Sequence, residues 1–196
     1  MFRAPAEEPR EVASPPTVPK VDFGNPSLGS PDANLTIVVF GDYQCTSCAT
    51  FDLTVQEILL EFPDDIRIIW KDIPNTKLHP ESRNAALAAR CAGEQGAFWY
   101  YHNLLMGRQS SLSESNYPVF ALELGLDGEL FTTCLQERRP DRLIQRDIDE
   151  AISLGINATP YVYIGNQPNA GSIRKDRLEL MVEAALESAP THTPAN

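Results

Sequence analysis

No stretch of this 196-residue sequence is apolar for the roughly 18–20 residues that a bilayer-spanning helix needs. Positive charge is also scarce. Sixteen Lys and Arg face twenty-seven Asp and Glu, a formal net charge of -11. Such a surface repels phosphate backbones and anionic lipid, which argues against nucleic acid and anionic membrane surfaces as partners. No hydrophobic core of a signal peptide is found at the N-terminus. Histidine is limited to His79, His102 and His192, none at a ligand spacing. No internal repeat is present. Cysteine is sparse as well, with four residues, and these carry most of the information.

Residues 1–20 hold Pro5, Pro9, Pro15, Pro16 and Pro19 among Glu, Arg and Ala. That composition reads as an extended, poorly ordered linker. The expectation is a linker over 1–20, one domain over 21–189 and a flexible tail over 190–196. A linker of this kind suits the soluble part of a longer exported protein, anchored or secreted through a removed N-terminal segment. A composition 42% hydrophobic and 22% charged suits one soluble domain plus some tail, or at most two small domains.

Cys45-Thr46-Ser47-Cys48 lies where the apolar run Leu35-Thr36-Ile37-Val38-Val39-Phe40 gives way to a helical pattern over 46–62. A Cys-x-x-Cys pair closes a small reversible disulfide, and at a helix start the free N–H groups and dipole favour the thiolate of its first sulfur. The chemistry implied is thiol–disulfide exchange. The same spacing is half of a zinc site, but Cys91 and Cys134 do not form a second Cys-x-x-Cys, so neither metal nor other cofactor is expected. Four cysteines allow three pairings. Cys45–Cys48 as a catalytic pair leaves Cys91 and Cys134 as either a structural disulfide or two buried free thiols.

Along the chain, an edge strand is expected near 21–23 and a doubly buried strand over 35–40. A helix with Phe51, Val55, Ile58, Leu59 and Phe62 inward comes next, then a strand over 66–71. Strand, helix and strand make a parallel βαβ unit. An all-helical block over about 76–154 interrupts the pattern, with helices near 79–93, 98–106, 114–123, 128–137 and 141–154. Strands at 161–164 and near 171–173 and a helix over 174–187 complete an α/β fold. The aromatic cluster Phe98, Trp99, Tyr100 and Tyr101 reads as core, and Arg138, Arg139, Arg142 and Arg146 as a solvated face. Ala158-Thr159-Pro160 precedes the strand at 161. Locally this is a loop–strand junction or a cis-proline whose preceding backbone is free to meet a client chain.

The stretch from Phe40 to Cys48 resembles the active-site segment of the DsbA-like thioredoxin-fold family. So do His79-Pro80, Arg90-Cys91-Ala92, Gln95-Gly96-Ala97-Phe98-Trp99 and Gly155-Ile156-Asn157-Ala158-Thr159-Pro160. The resemblance implies a thioredoxin fold, a mixed central sheet flanked by helices with an inserted helical subdomain. It implies that Cys45 is the exchanging sulfur, Cys48 the buried resolving one, and Thr159 with cis-Pro160 the pair beside them. Thr46 and Ser47, between the cysteines, are candidate thiolate donors. Val39 stands where the family commonly has a glutamate that serves the buried cysteine. The resulting expectation is an extracytoplasmic monomeric oxidase of the periplasm or cell envelope. Its clients are protein thiols, and a membrane redox partner recycles it. A reductase or isomerase is the nearest alternative. A Cu(I) carrier is the other, for which His102 and Met106 are the only nearby extra ligands.

Overall fold

The computed structural model describes residues 17–188. Most of the expected 1–20 linker and the whole expected tail at 190–196 lie outside them. Five strands form one sheet: β1 (Ser27–Gly29), β2 (Leu35–Gly41), β3 (Ile66–Asp72), β4 (Tyr161–Ile164) and β5 (Gln167–Ala170), in the order β1-β3-β2-β4-β5. Only β2 and β3 are parallel, joined by helix α1 (Thr46–Glu61) as the βαβ pattern required. The helical block comprises α2 (Ser82–Gly93), α3 (Phe98–Gly107), a short 3-10 turn (Gln109–Ser111), α4 (Tyr117–Glu123), α5 (Gly128–Glu137) and α6 (Asp141–Ser153). Helix α7 (Lys175–Ser188) is the last described element.

Both faces of the sheet are covered, and this explains why β2 is apolar without alternation. Ile37 and Val39 point with Ile68, Trp70 and Val162 into the larger core, alongside Phe51, Val55 and Ile58 of α1 and Leu178 and Val182 of α7. Val38 and Phe40 point the other way, with Ile69 and Tyr163, onto Ala151 and Ile156. Leu59 and Phe62 are only half-buried at the end of the α1 stripe. Of the aromatic cluster, Phe98 and Tyr101 are core, Trp99 lies at its edge, and Tyr100 is exposed.

Two edge strands are displaced from their expected places. Residues 21–23 do not form a strand, because an Asx turn takes their backbone: Gly24 N–H donates to Asp22 Oδ1 and Asn25 N–H to the Asp22 carbonyl. The strand begins six residues later than expected, at Ser27, antiparallel to β3. At the other edge, β5 starts at Gln167 rather than 171. A two-residue turn, Gly165-Asn166, with Gly165 at φ +57°, closes the hairpin directly after β4. Pro168 hides β5 from a composition-based reading, yet an edge strand tolerates it. Helix α4 likewise starts late, at Tyr117, with Pro118 in its first turn.

The helical block is tied to the sheet by charge. At the end of β3, Arg90 of α2 bridges the carboxylates of Asp72 and Asp147, and Lys71 reaches Glu150 of α6 at 2.6 Å and Asp147 at 3.7 Å. Asp72 also accepts the Trp70 indole N–H at 2.7 Å. Lys71, Asp72, Arg90 and Asp147 are all buried. Gly41 permits Trp70 to lie across the end of β2, since a Cβ there would come within 2.2 Å of the indole. The disulfide Cys91–Cys134 staples α2 to α5 across 43 residues, so the free-thiol alternative is not the state observed. In the chain-entropy model such a loop adds about 3–4 kcal/mol.

Removing Arg90 leaves two buried carboxylates facing each other. Arg90→Met is expected to lower unfolding stability by about 3–5 kcal/mol, measured by urea denaturation at neutral pH.

Candidate active site

Strands β2 and β4 are antiparallel, with Phe40 opposite Tyr161. The C-terminal end of β2 therefore lies beside the N-terminal end of β4. This register brings the Cys45–Cys48 segment and Thr159-Pro160 to one edge of the sheet. Cys45 is the N-cap of α1, with extended backbone (φ -78°, ψ 113°) and no side-chain cap. Its sulfur therefore sits where the first N–H groups of the helix have no helical acceptor.

Cys45 and Cys48 are both free thiols here. Cys45 is 9% exposed and Cys48 2%, so the first sulfur is the reachable one. The Cys45 pKa is lowered to about 5. A hydrogen bond with the Cys48 side chain is the main cause, burial works against it, and bonds from the Thr159 side chain and from the N–H groups of Cys48 and Ser47 assist. Cys48 is pushed far above its ordinary range by that same bond and by burial. The pair thus divides its protons, with a thiolate on Cys45 and a thiol on Cys48. The Thr159-Pro160 peptide bond is cis. The Thr159 carbonyl lies 3.5 Å from Cys45 Sγ and accepts from it when the thiol is protonated. Thr46 and Ser47 are exposed, and among the described residues neither hydroxyl bonds to a sulfur. Their contribution comes from the Ser47 backbone instead.

Three clamps hold the loop between β2 and α1. The buried Asp42 carboxylate accepts from Gln44 N–H and Asn75 N–H, both at 2.8 Å, and from His79 Nδ1 at 2.9 Å. The Gln44 side chain accepts from Glu81 N–H at 2.6 Å. The Gln109 amide donates to the carbonyls of Tyr43 at 2.8 Å and Cys45 at 3.0 Å. Beneath the loop, burial and the Asp72 charge keep the Tyr43 phenol protonated. Tyr43 contacts His102 Nδ1 at 2.9 Å, and His102 Nε2 contacts Asp52 at 3.0 Å. Val39 is buried in the larger core as a hydrophobe.

The two cysteines and the Thr-Pro pair named from the sequence lie together at one edge of the sheet. Sequence reasoning missed the supporting roles of Gln109, Asp42 and Asp52. Asp42 and His79 stood inside quoted motifs, which was a signal. Gln109 gave none, being a lone amide in a serine-rich turn. His102 is buried with both ring nitrogens occupied, so it is not poised as an extra metal ligand beside the sulfurs.

A family model described as Thioredoxin matches residues 23–184. The chain belongs to the thioredoxin family. Within it, the fold is that of thioredoxin-like oxidoreductases. A thioredoxin-like oxidoreductase from Silicibacter pomeroyi DSS-3 superposes with a TM-score of 0.76 at 29% identity, covering 86% of this chain and 95% of that one. The catalytic domain of Proteus mirabilis ScsC gives 0.74 at 26% identity, covering 85% and 92%. The Na(+)/H(+) antiporter NhaA 1 of Salinispora arenicola is 34% identical over 158 residues, which are 81% of this chain and 24% of that protein. The chain thus spans about a quarter of the length of the curated relatives it matches.

A depressed thiol pKa means that folding releases protons between about pH 5 and the ordinary cysteine range near 8.5. The stability contributed by the thiolate is complete above that range and is lost as pH falls towards 5. The alkylation rate of Cys45 in the reduced protein is expected to titrate with a midpoint near pH 5. Gln109→Leu removes both donors to the loop. It is expected to move that midpoint upward and to lower unfolding stability by about 1–3 kcal/mol, read by alkylation kinetics and urea denaturation.

Proposed function

We propose that this thioredoxin-family oxidoreductase works as an oxidase, introducing disulfides into exported client proteins. The observation that supports this direction is the stabilised Cys45 thiolate. Whatever stabilises the reduced pair makes its disulfide a stronger oxidant. A client thiolate attacks Cys45 Sγ of the oxidised pair. The Cys45–Cys48 bond breaks, and Cys48 leaves and takes up a proton, as its raised pKa favours. The client's second thiolate then attacks the client sulfur of the mixed disulfide and displaces Cys45 as a stable thiolate. The client has lost two electrons, and the pair has gained them along with one proton. A membrane redox partner accepts the electrons and restores the bond.

In this proposal Cys45 and Cys48 are catalytic, while Thr46, Ser47, Thr159 and Pro160 shape the site. The domain works as a monomer outside the cytoplasm. The buried Cys91–Cys134 bond supports that compartment. So does the likeness to a periplasmic thioredoxin-like protein from Salmonella enterica serovar Typhimurium, at 25% identity and a TM-score of 0.71. Ion exchange, named for the longer relatives, is not carried over. No helix among the described residues is long and apolar enough to cross a membrane.

Equilibration with glutathione is expected to give a potential of roughly -180 mV or more positive. A value near -270 mV, as in thioredoxin, would make the chain a reductase or isomerase feeder instead. Cys45→Ala abolishes turnover, and Cys48→Ala traps the client as a mixed disulfide, visible on non-reducing gels.

A further inference from the structure

An open groove of about 610 Å³ runs from Thr159 away from the sulfurs, between the start of the segment after β3 and the C-terminal half of α6. Its lining is mixed, with Ile73, Ile148, Ile152 and Ile156 as the aliphatic side chains. Ile148 and Ile152 are one helical turn apart and share a face of α6. Ile152 is 69% exposed, although it belongs to the helix that covers the back of the sheet. Lys77 stands at the rim and makes no ion pair among the described residues. In a chain of net charge -11 an unpaired cation beside the active site is a conspicuous attractor for acid.

The backbone along the groove is also open. Among the described residues, the peptide groups of Asn157 and Ala158 bond to no protein partner, and the Thr159 carbonyl meets only the Cys45 thiol. Pro160 has no N–H to offer. Unpaired N–H and C=O groups beside an apolar groove complement another polypeptide backbone and its side chains. A free fatty chain would satisfy the isoleucines but not the peptide groups.

We propose that this groove selects clients by the residues next to their reactive cysteine. It takes an aliphatic side chain two or three residues from that cysteine, with an acidic residue beside it against Lys77. The groove's lining begins at Thr159, whose carbonyl lies 3.5 Å from Cys45 Sγ, so a client joined to that sulfur meets the groove within its next few residues. The inference rests on the client-oxidation proposal above and names the client class for the same site.

The test uses the oxidised full chain and two dithiol peptides, identical except that one carries Leu-Asp near its first cysteine and the other Ser-Lys. The Leu-Asp peptide is expected to be oxidised about tenfold faster, the scale of one aliphatic side chain in a pocket. Ile152→Ser, a change at an exposed position, is expected to bring that ratio towards one. Lys77→Glu reverses the preference when only the acid is exchanged for lysine. Equal rates for the two peptides, or a ratio unmoved by both substitutions, overturn the groove. Oxidation of dithiothreitol by the native protein separates the two proposals. If dithiothreitol is oxidised while the peptides react alike, the groove alone fails. If dithiothreitol is not oxidised, the oxidase reading fails and the groove falls with it.

Discussion

Cys45 holds its negative charge at the start of α1 chiefly through dipoles. The groups that lower its pKa are the Cys48 thiol, the Thr159 side chain and the N–H groups of Cys48 and Ser47. Dipoles act only at close range and in one orientation, so the position of a single backbone segment decides whether the thiolate is stable. The surrounding clamps answer that need. Asp42 gathers three donors, Gln44 reaches Glu81, and Gln109 ties the carbonyls on either side of Gln44. Two clamps fix the loop from residues 75–81 and the third from Gln109, so it is held from two separate parts of the chain.

Those parts lead into or belong to the helical block, which explains why its docking matters. The ionic cluster of Lys71, Asp72, Arg90, Asp147 and Glu150 sits at the end of β3. Directly beyond it run Asn75, His79 and Glu81, the partners of the active-site loop. A buried ion pair adds little net stability over a well-packed apolar contact, but it penalises misplacement strongly. That property suits a joint whose task is register. The missing acid at Val39 fits the same picture, because the charge that stabilises this loop enters three residues later, at Asp42, and is aimed at the loop backbone rather than at a sulfur.

Legibility in the sequence divides along physical lines. The doubly buried strands β2 and β3 were readable because coverage on both faces forces continuous apolar runs. The redox pair was readable because sulfur spacing at a strand-to-helix boundary has few other uses. The edge strands were not. Ser27–Gly29 and Gln167–Ala170 carry Gly, Pro and Asn, and they are strands only because a neighbour offers them partners. Gln109 and His102 were opaque for a related reason. Their roles depend on contacts with residues more than fifty positions away, which no local pattern encodes.

The two cysteine pairs differ in access. Cys45 can be reached from solvent, whereas Cys91 and Cys134 are each 1% exposed beneath packed helices. In the proposed cycle, thiols in solvent meet the first pair and have no path to the second. The oxidation state of Cys45–Cys48 reports the traffic of the moment. That of Cys91–Cys134, shut away from solvent between α2 and α5, is not reset by such traffic and stays a fixed part of the scaffold.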